Sequence, residues 1–127
     1  MDKKILSFDL GTGGNKASLY DSEGRCLAHT FVGYDTSYPK VGWHEQKPED
    51  WWNAVMDSTR QLIQQSGVDV NSILAIGISG HSLGAVPLDV YGNLLRETTP
   101  IWSDIRAQNE VAEFFNTIDA DDWYLKT

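Results

Sequence analysis

The chain has 127 residues, 41% of them hydrophobic and 11% aromatic, which excludes a disordered segment and suits one small domain or part of a larger one. Ten Lys+Arg against 18 Asp+Glu give a net charge of −8, which repels phosphate backbones and anionic lipid, so neither nucleic acid nor a membrane surface is an expected partner. No apolar run reaches the roughly 20 residues that span a bilayer; Cys26 stands alone and the N-terminal residues lack the pattern of a secretory leader, so a reducing cytoplasm is expected.

Residues 4–10, KILSFDL, form a short apolar run closed by Gly11-Thr12-Gly13-Gly14, the pattern of a buried strand entering a tight turn. Residues 17–21 alternate weakly, Ser22-Glu23-Gly24 makes a second turn, and Cys26 to Gly33 resumes an extended pattern. Three consecutive antiparallel strands are therefore expected. Pro48 opens a helix: proline suits the first turn, Glu49 and Asp50 sit at the positive end of the dipole, and Gly67 stops it. Three-and-four spacing assigns Trp52, Val55, Met56, Thr59, Leu62 and Ile63 to its inward face.

Residues 73–79, ILAIGIS, read as a central strand covered on both faces. Residues 85–90 read as another extended piece, which Pro87 puts near an edge or a strand start, ahead of the Tyr91-Gly92-Asn93 turn. A further helix is expected from Ser103 or Asp104, with Ala107, Val111, Phe114, Phe115 and Ile118 as its buried stripe. Asp119 then reads as the N-cap of a helix that reaches Thr127 about two turns later. The expectation is a chain cut inside a larger protein.

Two short motifs offer chemistry. Positions 80–84 read GHSLG, which matches the G-x-S-x-G elbow of α/β-hydrolases and nominates Ser82 as a nucleophile. That elbow needs a helix directly behind its serine, whereas Pro87 and Gly92-Asn93 suit an extended segment. Its triad order is serine, acid, histidine, and His29, His44 and His81 all precede Ser82. A serine hydrolase is thus the disfavoured alternative. The second motif, DLGTGGNK at positions 9–16, lacks the GK[ST] of a Walker loop. It is not a dinucleotide fingerprint either, because Lys16 stands where the third glycine belongs and no helix follows. Its glycines let backbone amides form a nest for phosphate oxygens, and Asp9 suits phosphate once Mg²⁺ lies between them. On spacing alone, an ordinary hairpin turn is the favoured reading of the same residues, because turn glycines are common.

Taken together, FDLGTGGNKASLYD, GWHEQKPEDWW, IGISGHSLGAVPLD and PIWSDIRA resemble, in order and spacing, the N-terminal part of the FGGY family of carbohydrate kinases. The resemblance implies an α/β protein of the ribonuclease H-like (actin-like ATPase) fold. Residues 1–127 would form an incomplete N-terminal domain whose mixed sheet is flanked by helices. It implies transfer of the ATP γ-phosphate to a sugar or polyol hydroxyl. By position, Asp9 would help place Mg²⁺ and the nucleotide phosphates; Gly11, Thr12, Gly13 and Gly14 would form the phosphate-facing turn, with Lys16 beside it. His81 and Ser82 would face sugar hydroxyls. Leu83 stands where xylulokinases have a histidine and glycerol kinases a glutamate, which disfavours D-xylulose and glycerol and points to another pentulose, hexulose or polyol.

The same resemblance has Trp102 packing on the sugar skeleton, while Asp104 either accepts from sugar hydroxyls or caps the following helix. Arg106 is expected in a structural ion pair. Trp43, Glu45, Gln46, Trp51 and Trp52 read as packing and domain-shaping residues, and His29 and His44 as surface residues. The aspartate acting as general base and the adenine-binding domain would lie beyond Thr127, so no catalytic residue is expected here and the piece alone should not turn over. Expected partners are the sugar or polyol, ATP and, in full-length form, a second copy in a homodimer. A non-catalytic binding or regulatory member of the actin-like superfamily is the competing class.

Overall fold

A computed structural model describes residues 3–127. The chain starts with a meander: β1 (Lys4–Leu10), β2 (Gly14–Asp21) and β3 (Cys26–Gly33) pair in antiparallel order. A two-residue strand β4 (Glu45–Gln46) leads into helix α1 (Pro48–Ser66), and the chain returns through β5 (Ile73–Gly80), which pairs parallel to β1. The result is a mixed four-stranded sheet of order β3-β2-β1-β5. A second small ladder joins β4 to β6 (Thr99–Pro100), and two helices, α2 (Gln108–Thr117) and α3 (Ala120–Tyr124), close the chain.

Local chemistry sets these boundaries. Pro48 occupies the first turn of α1 with Glu49 and Asp50 beside it, and Gly67 ends the helix in the left-handed conformation (φ 63°), donating its N–H to the Ile63 carbonyl at 3.0 Å. Asp119 caps α3 by accepting from the Asp122 amide. Leu6 and Phe8 of β1, Ala17 and Leu19 of β2, and Leu62 of α1 form the core, so α1 lies over the β2–β3 half of the sheet.

Several expectations change at this level. The row that α1 buries is Ala54, Ser58 and Leu62, rotated from the predicted apolar face; Trp52 is 63% exposed. Small side chains bring the helix close to the sheet, where buried Asn15 of β2 donates Nδ2–H to Ser58 Oγ at 2.8 Å. β5 is an edge strand of this sheet, with Leu74, Ile76 and Ile78 exposed. Residues 85–90 form no sheet strand; Leu88 makes an isolated bridge to Leu94 instead. Helix α2 begins at Gln108 with Ala107 as its cap, so Asp104 is not its N-cap, and none of its residues is buried. Among the described residues, no helix is long and apolar enough to cross a membrane.

Candidate functional site

Parallel pairing of β1 and β5 brings two C-terminal strand ends side by side, with Asp9 opposite Ser79 and Leu10 opposite Gly80. In open α/β sheets ligands bind outside such strand ends. Here the turn after β1 and the loop after β5 emerge together. His81 donates its backbone N–H to the Leu10 carbonyl at 2.9 Å and its ring Nδ1–H to the same oxygen at 3.1 Å. A carbonyl only accepts, so Nδ1 carries a hydrogen and Nε2 is the ring nitrogen left facing away from Leu10.

The turn itself is tight. Gly11 donates its N–H to the Asp9 carbonyl at 3.1 Å and to the Gly14 carbonyl at 3.0 Å, and Tyr34 Oη donates to the Gly11 carbonyl. The amides of Thr12 and Gly13 donate to no backbone carbonyl among the described residues, which leaves two adjacent N–H groups at the tip. Asp9 and Lys16 face each other across the ladder, Nζ 3.9 Å from Oδ2, with their side chains 50% and 72% exposed. An ion pair this open is worth about 0–1 kcal/mol, so both charges remain available to a ligand. The Tyr34 phenol is pushed up to about 12, first by burial and then by the charge of Asp9.

Trp102 reaches the same place from the other end of the chain. Its indole Nε1–H donates to Thr12 Oγ1 at 2.9 Å while the residue stays 55% exposed. A half-exposed indole face beside the turn is suited to C–H surface of a ligand. The loop carrying it is clamped on both sides. Ile101 donates to the His44 carbonyl at 3.0 Å, His44 Nδ1 lies 2.8 Å from Ser103 Oγ, and the His44 amide donates to Asp104 Oδ2 at 2.8 Å. His44, read from sequence as a surface residue, is therefore a half-buried anchor.

Asp104 has a side chain only 4% exposed, and Arg106 donates to both its oxygens from Nε at 2.9 and 3.0 Å. Arg106 holds its carboxyl far below the usual carboxylate range. The guanidinium also reaches Glu45 at 2.6 Å and lies over the Trp43 ring at 3.9 Å, the structural ion-pair role expected for it. Glu45 is likewise lowered, by hydrogen bonds from Thr98 first and Arg106 second.

Ser82 is exposed and makes no side-chain hydrogen bond among the described residues. Residues 81–98 contain no helix, so the hydrolase elbow is absent. Leu83 next to it sits in the left-handed region (φ 64°), a strain on the order of 1–3 kcal/mol for a non-glycine residue at a loop of this kind. Two residues that carry the geometry escaped the sequence reading. Tyr34 sits in no motif, and Gln46 reads only as a packing residue. A polar residue inside a tryptophan-rich run was the available signal for Gln46.

A metal at the turn would have one protein carboxylate, Asp9, since among the described residues no group of three or more His, Cys, Asp or Glu is placed to hold an ion. Mg²⁺ binds in this way, through one or two carboxylates with phosphate oxygens and water as the other ligands. The open Asp9 carboxylate beside two unpaired amides fits such an ion bridging to phosphate.

Comparison with known proteins gives one consistent result. The sequence model described as "FGGY family of carbohydrate kinases, N-terminal domain" matches residues 4–127. A xylulose kinase of Bacillus subtilis (strain 168) is 34% identical over 104 residues, covering 82% of this chain and 21% of that protein. A glycerol kinase of Thermoanaerobacter pseudethanolicus is 30% identical over 102 residues, covering 80% of this chain and 18% of its own length. The crystal structure of a xyloylose kinase from Brucella ovis superposes with a TM-score of 0.85 at 34% identity, over 95% of this chain and 24% of that one. The chain thus spans about a fifth of the length of these curated relatives. The mixed sheet with flanking helices is that of the ribonuclease H-like (actin-like ATPase) fold.

Proposed function

This chain belongs to the FGGY family of carbohydrate kinases, and on that premise we propose that it supplies the phosphate-facing turn and part of the sugar pocket of an ATP-dependent kinase acting on a sugar or polyol hydroxyl. The observation that carries this reading is the Trp102 to Thr12 hydrogen bond, which joins a sugar-packing indole to the tip of the glycine turn. Phosphoryl transfer is mostly positioning and charge stabilisation, so a kinase needs the two ligands held within one crevice.

In this reading the Thr12 and Gly13 amides and the Lys16 ammonium face the phosphates, and Asp9 holds Mg²⁺ directly or through its waters. The ion would neutralise charge developing on phosphoryl oxygens. His81 Nε2 accepts from one sugar hydroxyl, Ser82 Oγ pairs with another, and the Trp102 face covers C–H groups. Asp104, with both oxygens already engaged, serves the sugar by fixing the loop that carries Trp102. The exposed Leu83 cannot pair with a hydroxyl, so a pentulose, hexulose or polyol other than D-xylulose and glycerol is the substrate class. The general base and the adenine site belong to the rest of the full-length protein, which would work in the cytoplasm. The chain aligns with about a fifth of its curated relatives' length, so turnover is a property to be measured on the full-length protein.

An ATP-coupled screen of ketoses and polyols with the full-length protein tests this. Phosphorylation of at least one of them is expected, and Asp9→Ala should lower kcat at least ~100-fold. Retained turnover in that variant would remove the metal and phosphate assignment. A fluorophosphonate probe should leave Ser82 unlabelled; labelling would revive the hydrolase alternative.

A further inference from the structure

We propose that Gln46 is a positioning residue that couples the phosphate-facing turn to the sugar-facing loop, a proposal that rests on the functional reading above. The residue is 1% exposed and both polar atoms of its side chain are hydrogen-bonded. Nε2 donates to the Thr12 carbonyl at 2.6 Å and to Thr36 Oγ1 at 2.7 Å, while Oε1 accepts the Trp51 indole N–H at 2.9 Å. The partners fix this orientation of the amide, because an indole N–H only donates and a carbonyl only accepts.

Each partner leads to a different part of the site. Thr12 is the turn residue whose hydroxyl receives Trp102. Trp51, one turn into α1, sets its ring edge-on to His81 with centroids 5.0 Å apart and planes at 79°. His81 is bound through its backbone N–H and its ring Nδ1 to the carbonyl of Leu10, two residues before Thr12. The contacts therefore close a ring from Thr12 through Gln46, Trp51, His81 and Leu10 back to Thr12. A ligand that shifts the turn must move Gln46 or break one of its bonds, and the displacement passes through Trp51 to His81. Because the side chain is buried, a broken bond there finds no water as a replacement. Gln46 touches neither proposed ligand and acts through the residues that do. The consequence is positive coupling: a filled phosphate turn holds His81 and Trp102 in place for the sugar, and the reverse holds with equal strength.

Hydrogen exchange and indole N–H spectra of the full-length protein decide the matter. Gln46→Leu leaves a branched end with no polar side-chain atom, so it removes all three hydrogen bonds. The Gly11 and His81 amides should then exchange about tenfold faster together, the effect of losing roughly one hydrogen bond, while the Gly67 amide at the far end of α1 stays unchanged. The Trp102 indole signal should move as well, although residue 46 does not touch it. Changes confined to Trp51, with Gly11, His81 and Trp102 unaltered, would overturn the proposal. If Gln46→Leu loses its fold, Trp51→Phe replaces the indole by a smaller ring with no N–H to donate to Gln46; faster exchange at both His81 and Gly11 supports the ring, and unchanged exchange refutes it. Titration with Mg·ATP separates this from the functional reading. In the wild-type full-length protein the Thr12 and Gly13 amides and the Trp51 indole should shift together, and in its Gln46→Leu variant only the amides should. Silence of the wild-type turn amides would sink the functional reading, with the exchange data still judging Gln46 by itself.

Discussion

Gly13 and Gly14 are neighbours in one turn, yet a methyl group added to each meets opposite surroundings. At Gly14 it would lie 2.5 Å from Phe31 Cζ and 2.6 Å from the Val32 carbonyl oxygen, whereas at Gly13 no atom lies within 4 Å. Backbone cannot move aside as a flexible side chain can, so Gly14→Ala should cost about 1–3 kcal/mol of stability, read as a lowered Tm. Gly13→Ala should leave Tm nearly unchanged and instead weaken Mg·ATP binding about tenfold, since its methyl would fill the space a phosphate oxygen approaches. Unaltered affinity in Gly13→Ala would mean that the turn does not face phosphate. The sequence motif names both glycines without separating them. What separates them is β3, whose Gly33 pairs with Gly14 and whose Phe31 covers it, a contact across the ladder that no local spacing encodes. Tyr34 was invisible for the same reason: its grip on the Gly11 carbonyl depends on where β3 ends in space.

Among the elements, those with chemical punctuation were legible. β1, β3, α1 and the cap of α3 follow the sequence because Pro48, Gly67, Asp119 and the turn glycines act locally. Rotation of α1 was not legible, because it depends on Asn15 meeting Ser58, two polar residues that hydrophobic periodicity ignores. Nor was the loop from β6 to α2, where Asp104 and Arg106 were readable as a motif but their closure onto Glu45 and His44 was not. That loop carries a pH prediction. Asp104 is depressed by Arg106, Glu45 by Thr98 and then Arg106, and Asp21 falls to about 2 through hydrogen bonds from Arg25. A carboxylate whose folded value is depressed stabilises the protein above its ordinary value near 4 and loses that contribution as pH falls through the folded value. Denaturant midpoints should therefore hold steady from pH 7 to about 5 and drop between about 4 and 2. Asp104→Asn should start lower at pH 7 and drop less steeply; parallel curves would show that this carboxylate has no part in acid sensitivity. Arg106→Ala leaves Asp104 and Glu45 buried without their shared cation and should cost about 3–5 kcal/mol at neutral pH.

At the scale of the whole molecule, the apolar residues that the sequence assigned to buried faces line an open surface. A groove of 480 Å³ runs between α1 and the β1–β5 half of the sheet, bordered by Phe8, Trp51, Trp52, Met56, Ile76 and Ile78. Hydrophobic pattern reports that a face is built to be covered, and among the described residues no element lies over it. Beside the groove, β5 forms a sheet edge whose described residues include no lysine, proline or other charge that would discourage pairing. The opposing force is the net charge of −8, which keeps copies apart at low ionic strength. Salt shortens the Debye length from about 30 Å at 0.01 M to about 3 Å at 1 M while leaving apolar attraction intact. The isolated chain should consequently pass from monomer to higher species as salt rises, seen as a growing mass in light scattering and as dye binding to apolar surface. Ile76→Lys with Ile78→Lys places charge on the exposed edge and should hold the chain monomeric at every salt concentration. A wild-type chain that stays monomeric in 1 M salt and binds no such dye would show that the groove closes on itself in solution, and the position of α1 over the β2–β3 half would then need to be redrawn.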